Sequence, residues 1–476
     1  MKKILLISCI LTCTFMSISC SSLQNLTDSI SAFFSNIANS ISSNTENNPS
    51  SRTQKVSAEK SLSIPKSYEK AYFYRTDIAD KNATSLLKNS QMNSLRINNT
   101  LSYLPAIAKE INNVAQNDFE KAKIAHDVIA LLISYDAASF WAGTVPSQDF
   151  ISVLKTRKAV CEGYANVFKE LCNNLGLPCK KVHGYARGVG TSILEEDSNF
   201  TSNHAWNIVQ LENNWYLVDC TWDSGYMNGK IAKQQYTTDW LFLKPDHFIY
   251  THLPQNQQYQ LLSNPIAKQD FALLSDLRPK FFEVTNKIHP FPAEKIQVAN
   301  ELILLVNEKS GFQLDFTVSN SSTKRKISNC FIIQRNENED SKITFSFPVA
   351  GNYIIDIFYR KTGASQGTSC GQFLVSTTSF NPIRYPTLFY VSGKTELISP
   401  LTMPLYQGKT YTFSVKTTDK KVAAVICGKK YNYLVNDGTG LFSGQITIPY
   451  NTKTISLGLA NTENGRFEIL AKYEVQ

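Results

Sequence analysis

Residues 159–178 read AVCEGYANVFKELCNNLGLP, a pattern typical of one amphipathic helix. Apolar side chains recur at helical spacing, and the stripe consists of Tyr164, Ala165, Phe168, Leu171, Cys172 and Leu175. Gly176 suits the position just after the helix, and Pro178 prevents its continuation. Cys161 then lies in the first turn, where the positive end of the helix dipole stabilises a negative charge. We predict a nucleophile there, and a small buried hydrophobic residue is the alternative.

Residues 203–219 read NHAWNIVQLENNWYLVD, two alternating runs around a short polar turn. This pattern predicts a β-hairpin with a two-residue turn at Glu212–Asn213. In that register His204 lies opposite Thr221, and Asp219 is its diagonal neighbour on the same face. Diagonal neighbours are about 7–8 Å apart at the backbone, within reach of an imidazole and a carboxylate.

These three side chains are the set that cysteine-based amide chemistry needs. Cys161 attacks a carbonyl as the thiolate, His204 moves the proton, and Asp219 fixes the imidazole tautomer. Helix N-terminal amides, including that of Cys161, face the developing oxyanion. A second oxyanion donor is expected from a side chain upstream, for which Trp141 and Gln148 are candidates by residue type only.

Other histidines and acids have simpler predicted roles. Asp223 is an alternative to Asp219 as the orienting acid. His126 and Asp127 are adjacent in a helix and point about 100° apart, which predicts a buried contact and a surface charge. His247 and His252 are predicted to dock the β-rich half onto the catalytic half.

The remaining cysteines are scattered, and no C-x-x-C pair suggests zinc. Cys172 and Cys179 flank the end of the predicted helix, where packing is favoured over a disulfide. The pair Cys330 and Cys370 stays open.

The N-terminus has the features of a secretory signal. Met1-Lys2-Lys3 is followed by an apolar run from Ile4 to Met16, shorter than a membrane span. Ser17-Ile18-Ser19 precedes Cys20, as small residues precede the lipidated cysteine of a bacterial lipoprotein. We predict a signal peptide over residues 1–19 and lipidation of Cys20, with an ordinary secretory signal as the alternative. Either predicts an exported protein, and lipidation predicts a membrane-anchored one in the cell envelope.

Composition divides the rest of the chain. The 476 residues carry a formal charge of +9 without dense basic blocks, so nucleic acid is not an expected partner. Residues 20–65 are rich in Ser and Asn and predict a tether. Residues 66–270 predict an α+β catalytic domain, and short alternating runs predict all-β sandwiches over 275–380 and 381–476.

The order of motifs resembles the transglutaminase-like superfamily of cysteine enzymes. The motifs are Cys161-x-Gly163-Tyr164-Ala165, Gly176-Leu177-Pro178, His204-Ala205-Trp206-Asn207 and Asp219-x-Thr221-Trp222-Asp223. Segments 239–242 and 247–254 are similar to the kyphoscoliosis peptidase branch. That branch has immunoglobulin-like sandwiches after its catalytic domain.

The resemblance implies a papain/transglutaminase-like core followed by two immunoglobulin-like sandwiches. It also implies that Cys161 is the nucleophile, His204 the base and Asp219 the orienting acid, with no metal or organic cofactor. Two residues depart from the family pattern: Ala159 replaces a frequent Gly, and Cys220 replaces a common Pro. We expect Ala159 to tighten the turn that presents the thiol and to reduce activity.

The predicted function is an exported cysteine enzyme that acts on protein or peptide amide bonds through a thioester, foremost as a peptidase. Transglutaminase-type transfer to an amine and a non-catalytic surface binding or scaffold role are the alternatives. The oligomeric state stays open.

Overall fold

The computed structural model describes residues 62–188, 191, 199–335, 340–389 and 395–476. The predicted signal peptide, Cys20 and most of the predicted tether lie outside these residues, so those assignments stay predictions. Among the described helices, none combines the length and the apolar character that crossing a membrane requires.

The α-helices of the described residues precede or border the β-rich half. In chain order they are α1 (Glu69–Phe73), α2 (Lys81–Lys88), α3 (Ser90–Asn98), α4 (Thr100–Val114), α5 (Asp118–Leu132), α6 (Ala137–Ala142), α7 (Phe150–Thr156), α8 (Cys161–Leu175), α9 (Cys220–Asp223), α10 (Pro245–Phe248), α11 (Lys268–Leu273) and α12 (Pro279–Val284). Side chains of Asp or Asn cap several of them by accepting backbone N–H bonds, at Asp80, Asn89, Asn117, Asp136 and Asp149. These caps explain where the helices begin.

The strands of the first unit are β1 (Ser134–Tyr135), β2 (Lys158–Ala159), β3 (Cys179–Ala186), β4 (His204–Leu211), β5 (Asn214–Val218), β6 (Gly225–Asn228), β7 (Ile231–Gln234) and β8 (His252–Pro254). Four of them form an antiparallel sheet in the order β5-β4-β3-β8. One face of this sheet packs against α4, α5 and α8 in a large apolar core. Trp206, Ile208 and Leu217 on the other face pack in a second core with Trp240 and Phe248. The sheet therefore lies between two apolar layers.

The strands of the β-rich half are β9 (Asp276–Leu277), β10 (Thr285–His289), β11 (Ile296–Val298), β12 (Glu301–Glu308), β13 (Phe312–Asn320), β14 (Phe331–Gln334), β15 (Ser341–Ser346), β16 (Gly351–Lys361), β17 (Thr368–Thr377), β18 (Thr387–Leu388), β19 (Thr395–Ser399), β20 (Thr410–Thr417), β21 (Val422–Cys427), β22 (Lys430–Tyr433), β23 (Val435–Asn436), β24 (Leu441–Thr447), β25 (Thr454–Ala460) and β26 (Glu468–Glu474). They form two sandwiches, each with its own core between two sheets. The first pairs sheet β10-β12-β15-β14 with β11-β17-β16-β13, and the second pairs β18-β26-β25-β21-β22 with β19-β20-β24-β23.

The predicted fold class, an α+β core followed by two all-β immunoglobulin-like sandwiches, is confirmed. Leu62 and Ile64, which the sequence assigns to the tether, pack against the second core of the first unit. Ser63 O also accepts a hydrogen bond from Trp215 N at 3.0 Å. The chain is thus already part of the fold at residues 62–64.

Candidate active site

Cys161 is the first residue of α8 and is partly exposed. The turn before it is held by Gln148, whose Oε1 accepts a hydrogen bond from Val160 N at 2.9 Å. A Cβ atom added at Gly163 would lie 2.6 Å from the Cβ of Ala159 and 2.6 Å from Gln148 Oε1. The neighbours of Gly163 therefore leave no room for a side chain at this position. The methyl group of Ala159, where the family often has Gly, occupies space directly beside the turn that presents Cys161.

The β4–β5 hairpin brings His204 and Asp219 together, as the sequence predicts. Its turn is Glu212–Asn213, with φ values of 47° and 67°, and Leu211 pairs with Asn214. His204 Nε2 lies 2.7 Å from Asp219 Oδ2, and the two side chains are only 8% and 1% exposed. The carboxylate also caps α9, because Asp219 Oδ1 accepts from Thr221 N at 2.8 Å. The cap fixes the orientation in which Asp219 meets the imidazole.

The charges of this pair depend on each other. Burial alone would lower the pKa of His204, but the charges of Asp219 and Cys161 and hydrogen bonds to both raise it to about 10. Burial would raise the pKa of Asp219, and His204 together with His252 holds it below its usual range instead. Because Nε2 of His204 faces Asp219, the other ring nitrogen is available to the Cys161 thiol.

His252 is a site residue that the sequence argument missed. Its Nε2 lies 3.3 Å from Asp219 Oδ2, and its ring is fully buried. The prediction that it docks the β-rich half is wrong, because strand β8 pairs with β3 and carries His252 toward the catalytic pair. The sequence feature that points to this approach is Gly184, a glycine inside strand β3. Gly184 pairs with both His204 and Pro254, and a Cβ atom there would clash with Leu253 O and Trp206.

Aromatic rings surround the catalytic pair. The ring of Trp222 lies 5.4 Å from that of His204 and 4.5 Å from that of His252. Trp206 stacks near His204 at 6.0 Å, and Trp240 packs at 5.0 Å from His252. Such rings keep water from the far side of the imidazoles, which strengthens the electrostatic interactions there.

A second buried network lies behind α9. His126 contacts Asp223 Oδ2 through Nε2 at 3.0 Å and Asp127 Oδ1 through Nδ1 at 2.9 Å, and all three side chains are 0% exposed. Lys123 pairs with Asp127, and Tyr236 OH donates to Asp127 Oδ1 at 2.6 Å. The prediction that Asp127 is a surface charge is wrong, because these partners satisfy its carboxylate inside the fold.

Asp223 anchors the end of α9 and does not meet the catalytic histidine. Its carboxylate accepts from Thr237 Oγ1 at 2.7 Å and from Trp240 N at 3.1 Å, besides its contact with His126. Burial raises the pKa of Asp223, although the His126 hydrogen bond opposes this. Of the two acids considered for orienting His204, the structure therefore places only Asp219 against it.

His247 lies where docking was predicted. Its ring stacks on Phe282 of α12 at 3.9 Å and 7°, and Phe282 packs against the core of the first sandwich. The described cysteines form no disulfide among themselves. Cys172 and Cys179 both lie in the apolar core of the first unit, so packing accounts for both.

The two upstream candidates for a second oxyanion donor differ in whether their side-chain N–H groups already have hydrogen-bond partners. Gln148 uses Oε1 for Val160 N and donates from Nε2 to Pro146 O at 2.8 Å, so its amide holds the turn. Trp141 Nε1 is buried and has no hydrogen-bond partner among the described residues. Of the two, Trp141 is the one with an unused donor.

Ligand atoms of His204, Asp219 and His252 lie within 4.8 Å of one another, a spacing that a metal ion could use. Tetrahedral zinc with bonds of about 2.1 Å holds its ligand atoms about 3.4 Å apart. The 2.7 Å separation of His204 Nε2 and Asp219 Oδ2 is instead that of a direct hydrogen bond. The geometry fits a proton-transfer site better than a metal centre.

Comparison with known proteins agrees with this geometry. A model of the transglutaminase-like superfamily matches residues 105–220. This part of the chain is similar to transglutaminase-like domains. It contains Cys161, His204 and Asp219 within the matched residues, and it therefore carries the side-chain set of a cysteine enzyme.

Proteins similar to this chain include kyphoscoliosis peptidase of Homo sapiens, 32% identical over 172 residues that cover 36% of this chain and 26% of the relative. Hillarin of Drosophila melanogaster is 30% identical over 146 residues, or 28% of this chain and 18% of its own. The chain thus spans about a quarter or less of these relatives. A solved TGase has 19% identity and a TM-score of 0.20, covering 29% of this chain and 35% of its own. Titin immunoglobulin tandem domains have 11% identity and a TM-score of 0.13, covering 38% and 91%.

Proposed function

We propose that this protein is a cysteine peptidase that opens amide bonds of protein or peptide substrates through a thioester on Cys161. The observation that carries the proposal is the buried His204–Asp219 hydrogen bond of 2.7 Å, on an imidazole whose pKa is also raised by Cys161. The name of kyphoscoliosis peptidase supports hydrolysis as the outcome.

The residues divide the work as follows. The Cys161 thiolate attacks the amide carbonyl carbon, and the protonated His204 then gives its proton to the leaving amine. Water attacks the resulting thioester and gives one proton to His204, and the acid product leaves as the Cys161 thiolate and the protonated His204 are restored. Asp219 keeps Nε2 of His204 occupied and stabilises the imidazolium, so that the other nitrogen faces the reacting atoms.

The carbonyl oxygen gains negative charge in both steps. Gly163 N and Tyr164 N bond to Val160 O, whereas the amides of Cys161 and Glu162 lie in the first turn, where a helix offers backbone N–H groups no internal partner. Such unpaired amides stabilise an oxyanion, typically by about 3 kcal/mol per donor. The helix start therefore supplies both the nucleophile and part of its oxyanion site.

Alkylation of Cys161 tests the proposal directly. At about pH 6.5, where an ordinary thiol is almost entirely protonated, we expect iodoacetamide to label Cys161 much faster than a model thiol. His204→Gln should slow the reaction by about 100-fold, the scale of general acid–base effects. The other described cysteines are buried and serve as internal references in peptide mapping by mass spectrometry.

His289→Gln, an exposed histidine on β10, is the matched control and should keep the native rate. Labelling of Cys161 no faster than a model thiol would contradict an enzymatic role and favour a non-catalytic binding or scaffold protein.

Acyl transfer is the second candidate, because the matching family model is named for transglutaminases. Both reactions share the thioester and differ only in the nucleophile that resolves it. Incorporation of a fluorescent amine into casein, measured beside release of casein peptides, separates them. Peptide release without amine incorporation supports the peptidase, and the reverse result supports the transferase.

We also propose export and lipid anchoring at Cys20. The support is the basic and apolar segment of residues 1–16 and the small residues before Cys20. Metabolic labelling with a fatty acid analogue should mark the wild-type protein in the membrane fraction and not Cys20→Ser. Equal labelling of both would reject Cys20 as the modified residue.

A further inference from the structure

The Asp219 carboxylate has four hydrogen-bond partners, and one of them is a second histidine. Oδ1 accepts from Thr221 N at 2.8 Å and from Trp222 N at 3.2 Å. Oδ2 is shared by His204 Nε2 at 2.7 Å and His252 Nε2 at 3.3 Å. The two imidazole rings lie 5.5 Å apart, so they approach the same oxygen from different sides. We propose that His252 is a positioning residue that holds Asp219 Oδ2 toward His204 and limits the negative charge that His204 senses.

The surroundings of His252 make it a neutral donor. Its ring is fully buried, and burial lowers its pKa to about 4 although Asp219 opposes the change. The charged or titratable groups that act on it are Asp219, His204 and Arg278. Thr251 Oγ1 lies 2.9 Å from Nδ1 and 3.2 Å from Phe248 O, so its one proton can go to either acceptor. Since a carboxylate only accepts, the proton of neutral His252 then belongs on Nε2, facing Asp219.

A neutral donor has a specific advantage at this position. It fills an acceptor site on Oδ2 and prevents rotation of the carboxylate, yet it adds no positive charge that would compete with the His204 imidazolium. Without it, the charge of Oδ2 would act on His204 alone. The imidazolium would then hold its proton more tightly and release it less readily to the leaving amine.

This inference rests on the proposed function, and it can be tested without turnover. Titration of the His204 ¹³Cε1 resonance in a Cys161→Ser background reports the imidazole alone, since the thiolate charge is gone. His252→Phe keeps a ring of similar size without a donor, and we expect it to raise the pKa of His204 by about 0.5 to 1, the equivalent of one hydrogen bond. In the chain that retains Cys161, the more stable imidazolium favours the thiolate, so iodoacetamide labelling should not be slower than in the native protein.

Two variants separate the donor from packing. His252→Gln keeps an N–H near the position of Nε2 and should leave the pKa of His204 close to its native value. His247→Phe alters a histidine five residues earlier that stacks on Phe282 and should leave the titration of His204 unchanged.

A folded His252→Phe protein with the native His204 pKa would overturn the proposal, as would a His252→Gln protein whose His204 pKa is raised as much as that of His252→Phe. If His252→Phe does not fold, His252→Leu decides, because it also removes the donor to Asp219 and has a smaller side chain. A rise in the His204 pKa supports the proposal, and no change overturns it. Should native Cys161 prove unreactive, the proposed function fails, whereas the titration in the Cys161→Ser background still judges His252.

Discussion

The His204 side chain is held between two opposing effects. Its burial disfavours the imidazolium, while Asp219 and Cys161 favour it strongly enough to raise the pKa to about 10. A histidine whose pKa is higher in the folded than in the unfolded chain stabilises the fold while it is charged. The His204–Asp219 pair therefore also contributes to the free energy of unfolding of the domain.

The sign of this contribution gives a testable pH dependence. The stabilisation from His204 is complete below the ordinary histidine pKa of about 6.5 and is lost as the pH rises through about 10. Urea unfolding of the reduced protein should thus show a free energy of unfolding that falls between these pH values. His204→Gln should flatten this decline, whereas exposed His289→Gln should keep it. Parallel profiles for the native protein and His204→Gln would contradict the assignment.

At the scale of elements, the start of α8 depends on the absence of one methyl group. A Cβ at Gly163 would stand 2.6 Å from Ala159 Cβ, 2.6 Å from Gln148 Oε1 and 2.8 Å from Val153. In an ordinary helix interior, Gly→Ala stabilises by about 1 kcal/mol. Here the crowding dominates, because the Gln148 amide and the β2 strand hold the turn on the other side.

Gly163→Ala should therefore lower the free energy of unfolding by about 1–3 kcal/mol and slow Cys161 labelling. Adding Ala159→Gly should restore part of both, because it removes one of the clashing atoms. Gly188→Ala is the matched control, since its Cβ would meet only Trp222 at 3.5 Å, an ordinary contact. Urea unfolding and the iodoacetamide rate measure the effects, and equal effects at Gly163 and Gly188 would refute the crowding argument.

The elements predicted from sequence are those whose signals are local. The stripe and Gly176 predict α8, and Gly176 indeed has φ of 77° just after Leu175. The Glu212–Asn213 turn fixes a register, and that register brings Asp219 to His204. His252 and Asp127 were misassigned because their roles arise from strand pairing and helix packing between distant segments. No spacing along the chain reports that β8 joins β3, or that Tyr236 reaches Asp127.

At the scale of the whole molecule, one arginine joins the catalytic unit to the first sandwich. Arg75 donates from Nη2 to Asp239 O at 2.8 Å and to Glu283 Oε1 of α12 at 2.5 Å. Its side chain is 5% exposed, so these bonds are shielded from water. Phe281 and Val284 of the same helix belong to the sandwich core. Through these contacts Arg75 couples the stability of the catalytic unit to that of the first sandwich.

Arg75→Met should uncouple the two units, and the chain has a suitable probe for this. All five tryptophans lie between residues 141 and 240, so their fluorescence follows the catalytic unit alone. Far-UV circular dichroism near the β-sheet minimum also follows the sandwiches. We expect Arg75→Met to lower the stability of the catalytic unit by about 2 kcal/mol, the scale of a hydrogen bond to a charged group.

The fluorescence midpoint in urea should then precede that of the β signal by more than it does in the native protein. Lys70→Met is the matched control, because Lys70 pairs with Glu212 at the surface within the catalytic unit, with 52% and 45% of the side chains exposed. If the fluorescence and β-signal midpoints of Arg75→Met are no further apart than those of Lys70→Met, the sandwich contributes no stability to the catalytic unit through this contact. A larger separation in Arg75→Met alone would mean that the β-rich half supports the catalytic fold, because the substitution leaves the two sandwich cores untouched.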